Sequence, residues 1–244
     1  DLVYSVIRGR DISYWHAKSD VFVLCPHNEI TKMRPIEHST MERDFPKSMK
    51  YLTDMRYLLD QRNGFAGWEK KTQNDYFYSI QRIGSYTFSP YKVCWSYISD
   101  DFVVAVSGSD ENGKAILPND KVVFIPAATR AEAYFVAGLL SFNVIRSSVI
   151  ASATGRQISA NVIRPYALPQ YNPDNESHNH ISELCESGHL AVLCGDFVKA
   201  KTIYADLNAS CGLLLGVPAE LISEAERVIA DKLGFYPFKT GRME

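Results

Sequence analysis

The chain has 244 residues, 46% of them hydrophobic and 22% charged, with a formal net charge of -2. This is the composition of an ordinary soluble globular protein, long enough for one large domain or two small ones. No run approaches the roughly 20 apolar residues needed to span a bilayer, which excludes a membrane protein, and the slightly negative charge argues against indiscriminate nucleic-acid binding.

The charge is unevenly spread. From Arg43 to Trp95 there are nine Lys/Arg against five Asp/Glu, and from Pro169 to Glu244 six against eleven. A mildly basic middle and an acidic end permit one-sided contact with phosphates, although ordinary solvated faces give the same counts. Five cysteines (Cys25, Cys94, Cys185, Cys194, Cys211) are odd in number and scattered, which suits reduced thiols in a cytoplasm rather than a disulfide frame. The N-terminus, DLVYSVIRGRD, already reads as a strand and has none of the parts of a signal peptide. The chain therefore reads as a piece of a longer protein.

Leu2–Ile7 and Val21–Cys25 are β-rich runs, joined through a bend at Gly9. Residues 26 to 45 are polar and rich in turn formers. Pro46 suits a first helical turn, and Met49, Leu52 and Met55 continue at helical spacing to about Arg62, where Asn63-Gly64 stops the helix. A mixed basic and aromatic loop with Trp68, Lys70 and Lys71 follows.

The stretch Tyr76–Trp95, YFYSIQRIGSYTFSPYKVCW, is the most distinctive. Alternation over Tyr76–Arg82 predicts a strand, Gly84-Ser85 a tight turn, and Tyr86-Thr87-Phe88 its partner; Lys92–Trp95 resumes extended structure after Ser89-Pro90. Such a ribbon is a core hairpin or a surface that grips nucleic acid. Phe102–Val106 and Lys121–Pro126 predict strands, Gly108–Gly113 a turn, and Ala131–Phe142 a helix apolar all round and hence buried. Gly155–Ile158 reads as a loop and Val162–Leu168 as a strand broken by Pro165. From Ser177 onward the pattern is helical, in Ile181–Cys185, Leu190–Val198 and Ala219–Leu233. The expected fold class is α+β: a mainly β, mixed lobe with embedded helices over residues 1–170, then a helical segment over 171–244.

No chemistry announces itself. Ser89-Pro90-Tyr91 faintly echoes the Asn/Asp-Pro-Pro-Tyr/Phe motif of amino-directed DNA methyltransferases, but Ser replaces the acceptor and a proline is missing. It reads as a turn. Asp110-Glu111-Asn112-Gly113-Lys114 places acids near a lysine, as metal nucleases do, yet its Asn-Gly core predicts a β-turn. His178, His180 and His189 near Cys185 and Cys194 match no standard zinc spacing. Gly155-Arg156-Gln157 offers a guanidinium beside an amide, the groups that read guanine and adenine edges. No nucleophile–base set can be assembled, and no glycine-rich loop follows a strand. No catalytic or metal residue is assigned.

The ordered series of segments is more specific than any one of them. Arg8-Gly9-Arg10-Asp11-Ile12, then FPKSMKYLTDMRYLLDQR over Phe45–Arg62, then Y-x-F-x-x-Y-K-V-x-W over Tyr86–Trp95, resembles the target recognition domain of adenine-N6 DNA methyltransferases of restriction-modification and phage-defence systems. Phe124-Ile125-Pro126 with Glu132-Ala133-Tyr134 and Leu139-Leu140-Ser141 is similar to its strand and following helix, although the usual Asn between Leu and Ser is absent. Ile163–Pro173 with His178, Ile181, Leu184 and His189 resembles the closing strand and helix. The likeness covers roughly Val3 to His189 and, more loosely, the last helix to Leu233.

The resemblance implies a type IIG-like, C-terminal DNA-reading module whose catalytic half lies outside this chain. It implies no cofactor here, with methyl transfer from S-adenosylmethionine performed by the catalytic methyltransferase domain of the same parent chain. Double-stranded DNA is the implied partner and the cytoplasm the implied location. Lys70, Lys71 and Lys92 are then expected on phosphates, Arg82, Arg156 and Gln157 on base edges, and Ser85 and Tyr86 on the DNA-facing loop. Two other classes stand beside this one: a catalytic fragment with its own nuclease or transferase site, which the missing motifs disfavour, and a protein-interaction domain whose helical end docks on a methyltransferase or another subunit.

Overall fold

The computed structural model describes residues 2–62, 76–153 and 155–238. The fold is α+β, with small sheets and helices packed together. β1 (Val3–Ile7) pairs antiparallel with β4 (Val21–Leu24) and parallel with β7 (Leu117–Pro118). The bend between the first two runs is a 3-10 turn at Gly9–Asp11, where Asp11 accepts from the Arg8 backbone and guanidinium at 2.8 Å, followed by the short hairpin β2 (Ile12–Ser13) and β3 (His16–Ala17).

A second sheet is centred on β5 (Tyr91–Ser96), flanked antiparallel by β6 (Ala105–Ser107) and β8 (Val122–Ala127). β5 is buried on both faces, so successive residues face different cores. Val93 and Trp95 join the main core, and Cys94 joins a smaller one with Ile7 and Ile12.

Residues 26–45, polar and rich in turn formers, include α1 (His38–Asp44). The predicted Pro46–Arg62 helix forms as α2 (Pro46–Asp54), with Pro46 in its first turn, and α3 (Arg56–Leu59). The predicted apolar helix is α4 (Arg130–Leu140), whose first turn is closed by Thr129 Oγ1 accepting from Glu132 N and Glu132 accepting from Ala128 N. α5 (Asn143–Ser152) follows it.

The strand expected over Val162–Leu168 is not formed. Its place is taken by one turn of helix, α6 (Ala160–Ile163), and turns, because Pro165 removes a ladder donor. The helical end is α7 (Glu176–Leu193), α8 (Phe197–Leu215) and α9 (Ala219–Leu233). Asn175 and Asp196 cap the starts of α7 and α8, and left-handed Gly216 and Gly234 end α8 and α9.

The helical end and the lobe share one core. Ile181, Cys185, Ile203, Leu207 and Ile229 lie in the same buried cluster as Trp15, Trp95 and Phe135. Trp15 anchors the join, donating from Nε1 to Ser141 Oγ at 3.1 Å and stacking on His189 of α7. It lies so close to α7 that a Cβ on Gly188 would meet its ring at 2.1 Å. Gly188→Ala is therefore expected to destabilise by about 1–3 kcal/mol through overpacking, read as a lower urea midpoint at unchanged slope.

The aromatic ribbon is corrected in its first half. Tyr76–Ile83 is irregular, with turns, and Ser85–Phe88 is a 3-10 turn; only Tyr91–Ser96 is a strand. The aromatics mimic strand alternation, but long-range bonds fix the backbone. Tyr78 OH donates to Ile36 O at 2.8 Å, and the Arg62 guanidinium donates to Phe77 O and Ser79 O at 2.6 and 2.9 Å. Phe77, Tyr78 and Phe88 are core residues.

Among the described residues no single helix is long and apolar enough to cross a membrane; α4 and α5 pass only as a pair bent by 64°.

Candidate nucleic-acid interface

Two loops form the surface that best matches a polyanion. The first is Asn28–Arg34. Asn28 Oδ1 accepts from the backbone N–H groups of Ile30 and Thr31, both at 2.9 Å, and Thr31 Oγ1 accepts from Asn28 N at 3.0 Å. This self-bonded turn projects Glu29, Ile30, Lys32, Met33 and Arg34 into solvent. Neither Lys32 nor Arg34 has an acidic partner among the described residues.

The second loop is Ile80–Tyr86. Arg82, Ser85 and Tyr86 are exposed; the Tyr86 hydroxyl donates to Arg82 O at 2.7 Å, and its ring lies on Phe124, 6.0 Å between centroids. His27, fully buried, joins the two loops. Its Nε2 accepts from Ile80 N at 2.9 Å, so the proton sits on Nδ1, which donates to Lys32 O at 2.9 Å.

Burial holds the His27 imidazole below its ordinary pKa. The unfolded chain therefore binds this proton more readily than the folded one. The stability that His27 contributes is present above about pH 6.5 and is lost as pH falls from there through the lower folded value. A proton on Nε2 ends its capacity to accept from Ile80. Protection of the Ile80 amide from hydrogen exchange, corrected for the intrinsic rate, is expected to drop selectively in mildly acidic solution.

Backbone conformation marks the same residues. Of the four non-glycine positions with positive φ among the described residues, three are exposed cations: Lys32 (52°), Arg82 (58°) and Arg156 (67°). The left-handed region costs a residue with a Cβ roughly 1–2 kcal/mol. Such strain clusters where a side chain is aimed for a purpose.

Arg156 and Gln157 form a separate group. Ser99 N donates to Arg156 O at 2.9 Å, the Arg156 guanidinium pairs with Asp100 at 2.5 Å, and Tyr97 OH donates to Gln157 Oε1 at 3.0 Å. The ion pair is well exposed on both sides and adds little stability. Arg156 and Gln157 thus lie against the loop that follows β5, while Tyr86 sits on Phe124, which pairs with Cys94 in the middle of that strand.

Lys92 is corrected. Only 1% exposed, it donates from Nζ to Ser89 O at 2.7 Å, and burial pushes its ammonium down to about 8. It cannot hold a phosphate from inside the sheet. Lys70 and Lys71 lie outside the described residues. Lys32 and Arg34 were missed because they sit in an unpatterned polar stretch; the one signal was two cations flanking a methionine in a run of turn formers.

The other chemistry considered resolves into structure. Asp110 organises the predicted turn, accepting from Asn112 N and Lys114 N at 2.9 Å. His178 stacks on Phe135 and accepts from Asn172 N, while His189 Nε2 accepts from Val106 N, tying α7 to β6. No group of three or more metal-ligating side chains converges among the described residues. The direct strand-to-helix turn, β8 to α4, is closed by its own Thr129 and Glu132.

Neither models of known protein families nor curated proteins match this chain.

Proposed function

We propose that this chain is the DNA-recognition module of an adenine-N6 DNA methyltransferase, working in the cytoplasm with catalysis and S-adenosylmethionine binding supplied by another part of the parent protein. The observation that carries the DNA reading is the pair of His27-joined loops, which hold the exposed cations Lys32 and Arg82 at positive φ beside Arg34. The methyltransferase part of the reading rests on the resemblance of the ordered segments. In this mechanism Lys32 and Arg34 grip phosphates and set the register, and Arg82 and Tyr86 approach the bases. Arg156, paired with Asp100, marks a second contact beside the loop that follows β5.

A fluorescence-anisotropy titration with duplex DNA over a range of salt tests the reading. The expected result is a linear fall of log affinity against log salt, with a slope of roughly -0.9 per phosphate neutralised. No binding at low salt, alone or with the intact parent, contradicts it.

A second reading has its own observation. At the α7–α8 turn, Leu190, Leu193, Phe197 and Val198 are 40–80% exposed, an apolar cluster of the kind that docks on another protein. This surface lies on different elements from the two basic loops, so a module that reads DNA with its loops can dock through its helices.

A further inference from the structure

Ile30 is the most exposed large apolar residue described, with 89% of its surface in water, at the tip of the Asn28–Arg34 loop. Its backbone is not free to fold it away. Asn28 Oδ1 holds Ile30 N and Thr31 N, and Lys32 O is held by His27 from the interior. Met33, 43% exposed, stands beside it, with Lys32 and Arg34 around them and Glu29 as the one acidic neighbour in the loop. An apolar tip on a braced turn, ringed by cations without acidic partners, has the makeup of a wedge that enters a base step while its neighbours hold the flanking phosphates.

Resting on the DNA reading above, we propose that Ile30 inserts between base pairs of the bound duplex and bends it. Lys32 and Arg34 neutralise phosphates on either side of the opened step, and Met33 covers the unstacked base face. A partner protein suits this tip less well, because Lys32 and Arg34 flank it without acidic partners and, among the described residues, a larger exposed apolar cluster lies at the α7–α8 turn.

The test uses the 244-residue chain with a duplex of about 30 base pairs labelled at both ends, followed by energy transfer and anisotropy together. Wild type is expected to shorten the end-to-end distance on binding. Ile30→Ala, a surface change that leaves the fold intact, is expected to bind about tenfold more weakly with an unchanged salt slope and an unbent duplex. Ile30→Phe is expected to keep the bend. A wild-type complex with an unbent duplex, or Ile30→Ala with wild-type affinity and bend, overturns the wedge and leaves the phosphate contacts standing. A wild-type chain that binds no duplex at low salt overturns the DNA reading itself.

Discussion

Replacing Lys92 with methionine is expected to stabilise the protein at pH 7, by about 1–2 kcal/mol. An ammonium at 1% exposure that meets one carbonyl oxygen at 2.7 Å has left water for a single hydrogen bond. Its folded pKa of about 8 lies below the roughly 10.4 of a free lysine, so between these values the unfolded chain binds the proton and the folded one does not. Stability from this site is complete above about pH 10.4 and is lost as pH falls through 8. Denaturant titrations of both proteins at pH 7 and pH 10 check it: the advantage of Lys92→Met shrinks at the higher pH. DNA affinity is expected to be unaffected. A variant equally destabilised at both pH values contradicts the electrostatic cost, and a loss of DNA binding by a folded variant restores Lys92 to the interface.

The opposite effect is expected at Arg146, which is fully buried on α5. Its guanidinium forms a two-pronged pair with Asp101, Nε to Oδ1 and Nη2 to Oδ2 at 2.9 and 2.5 Å. It also donates to Pro237 O at 3.3 Å and lies 4.8 Å over the Tyr14 ring. Beside it, Asn143 bonds Tyr204, Tyr236 and Glu226. This one side chain therefore ties the loop after β5 to α5 and to the C-terminal segment beyond α9. Arg146→Met leaves Asp101 without its cation and is expected to cost about 3–5 kcal/mol. Asp101→Asn together with Arg146→Met is expected to cost clearly less than the two single changes added, because no unpaired charge remains. Urea unfolding of the four proteins measures the coupling; strict additivity contradicts it. Arg146→Lys is expected to recover only part of the loss, since an ammonium cannot make the two-pronged contact.

Much of the fold was legible wherever apolar spacing dominates. The buried α4, the strand β8 and the helices after Ser177 follow from periodicity, and Pro46 marks the start of α2. The misreadings share a cause. The aromatic ribbon carries strand-like alternation and Val162–Leu168 reads as a broken strand, but tertiary bonds from Arg62 and to Ile36 decide the first and Pro165 the second. Local pattern cannot show such partners. The site was legible in part: Arg82, Ser85, Tyr86, Arg156 and Gln157 are exposed on loops, whereas Lys92, in the same basic stretch, turns inward. Whether a cation on β5 meets water or Ser89 depends on what covers both faces of the strand. His27, which joins the two candidate loops, had no sequence signature, because its partners are backbone groups 5 and 53 residues away.

The proposed DNA surface is tested most directly by Lys32→Gly with Arg82→Gly. Both residues hold positive φ, where glycine has no steric cost, so the double variant is expected to lose no stability and to gain up to about 1 kcal/mol. Its salt-dependent affinity for duplex DNA is the deciding quantity. The predicted result is a well-folded protein that binds DNA weakly, with the salt slope reduced by about 1 for the phosphate contact of Lys32 and a relaxed sequence preference from the loss of Arg82. An unchanged slope and affinity in that folded variant would place the DNA surface elsewhere on the molecule.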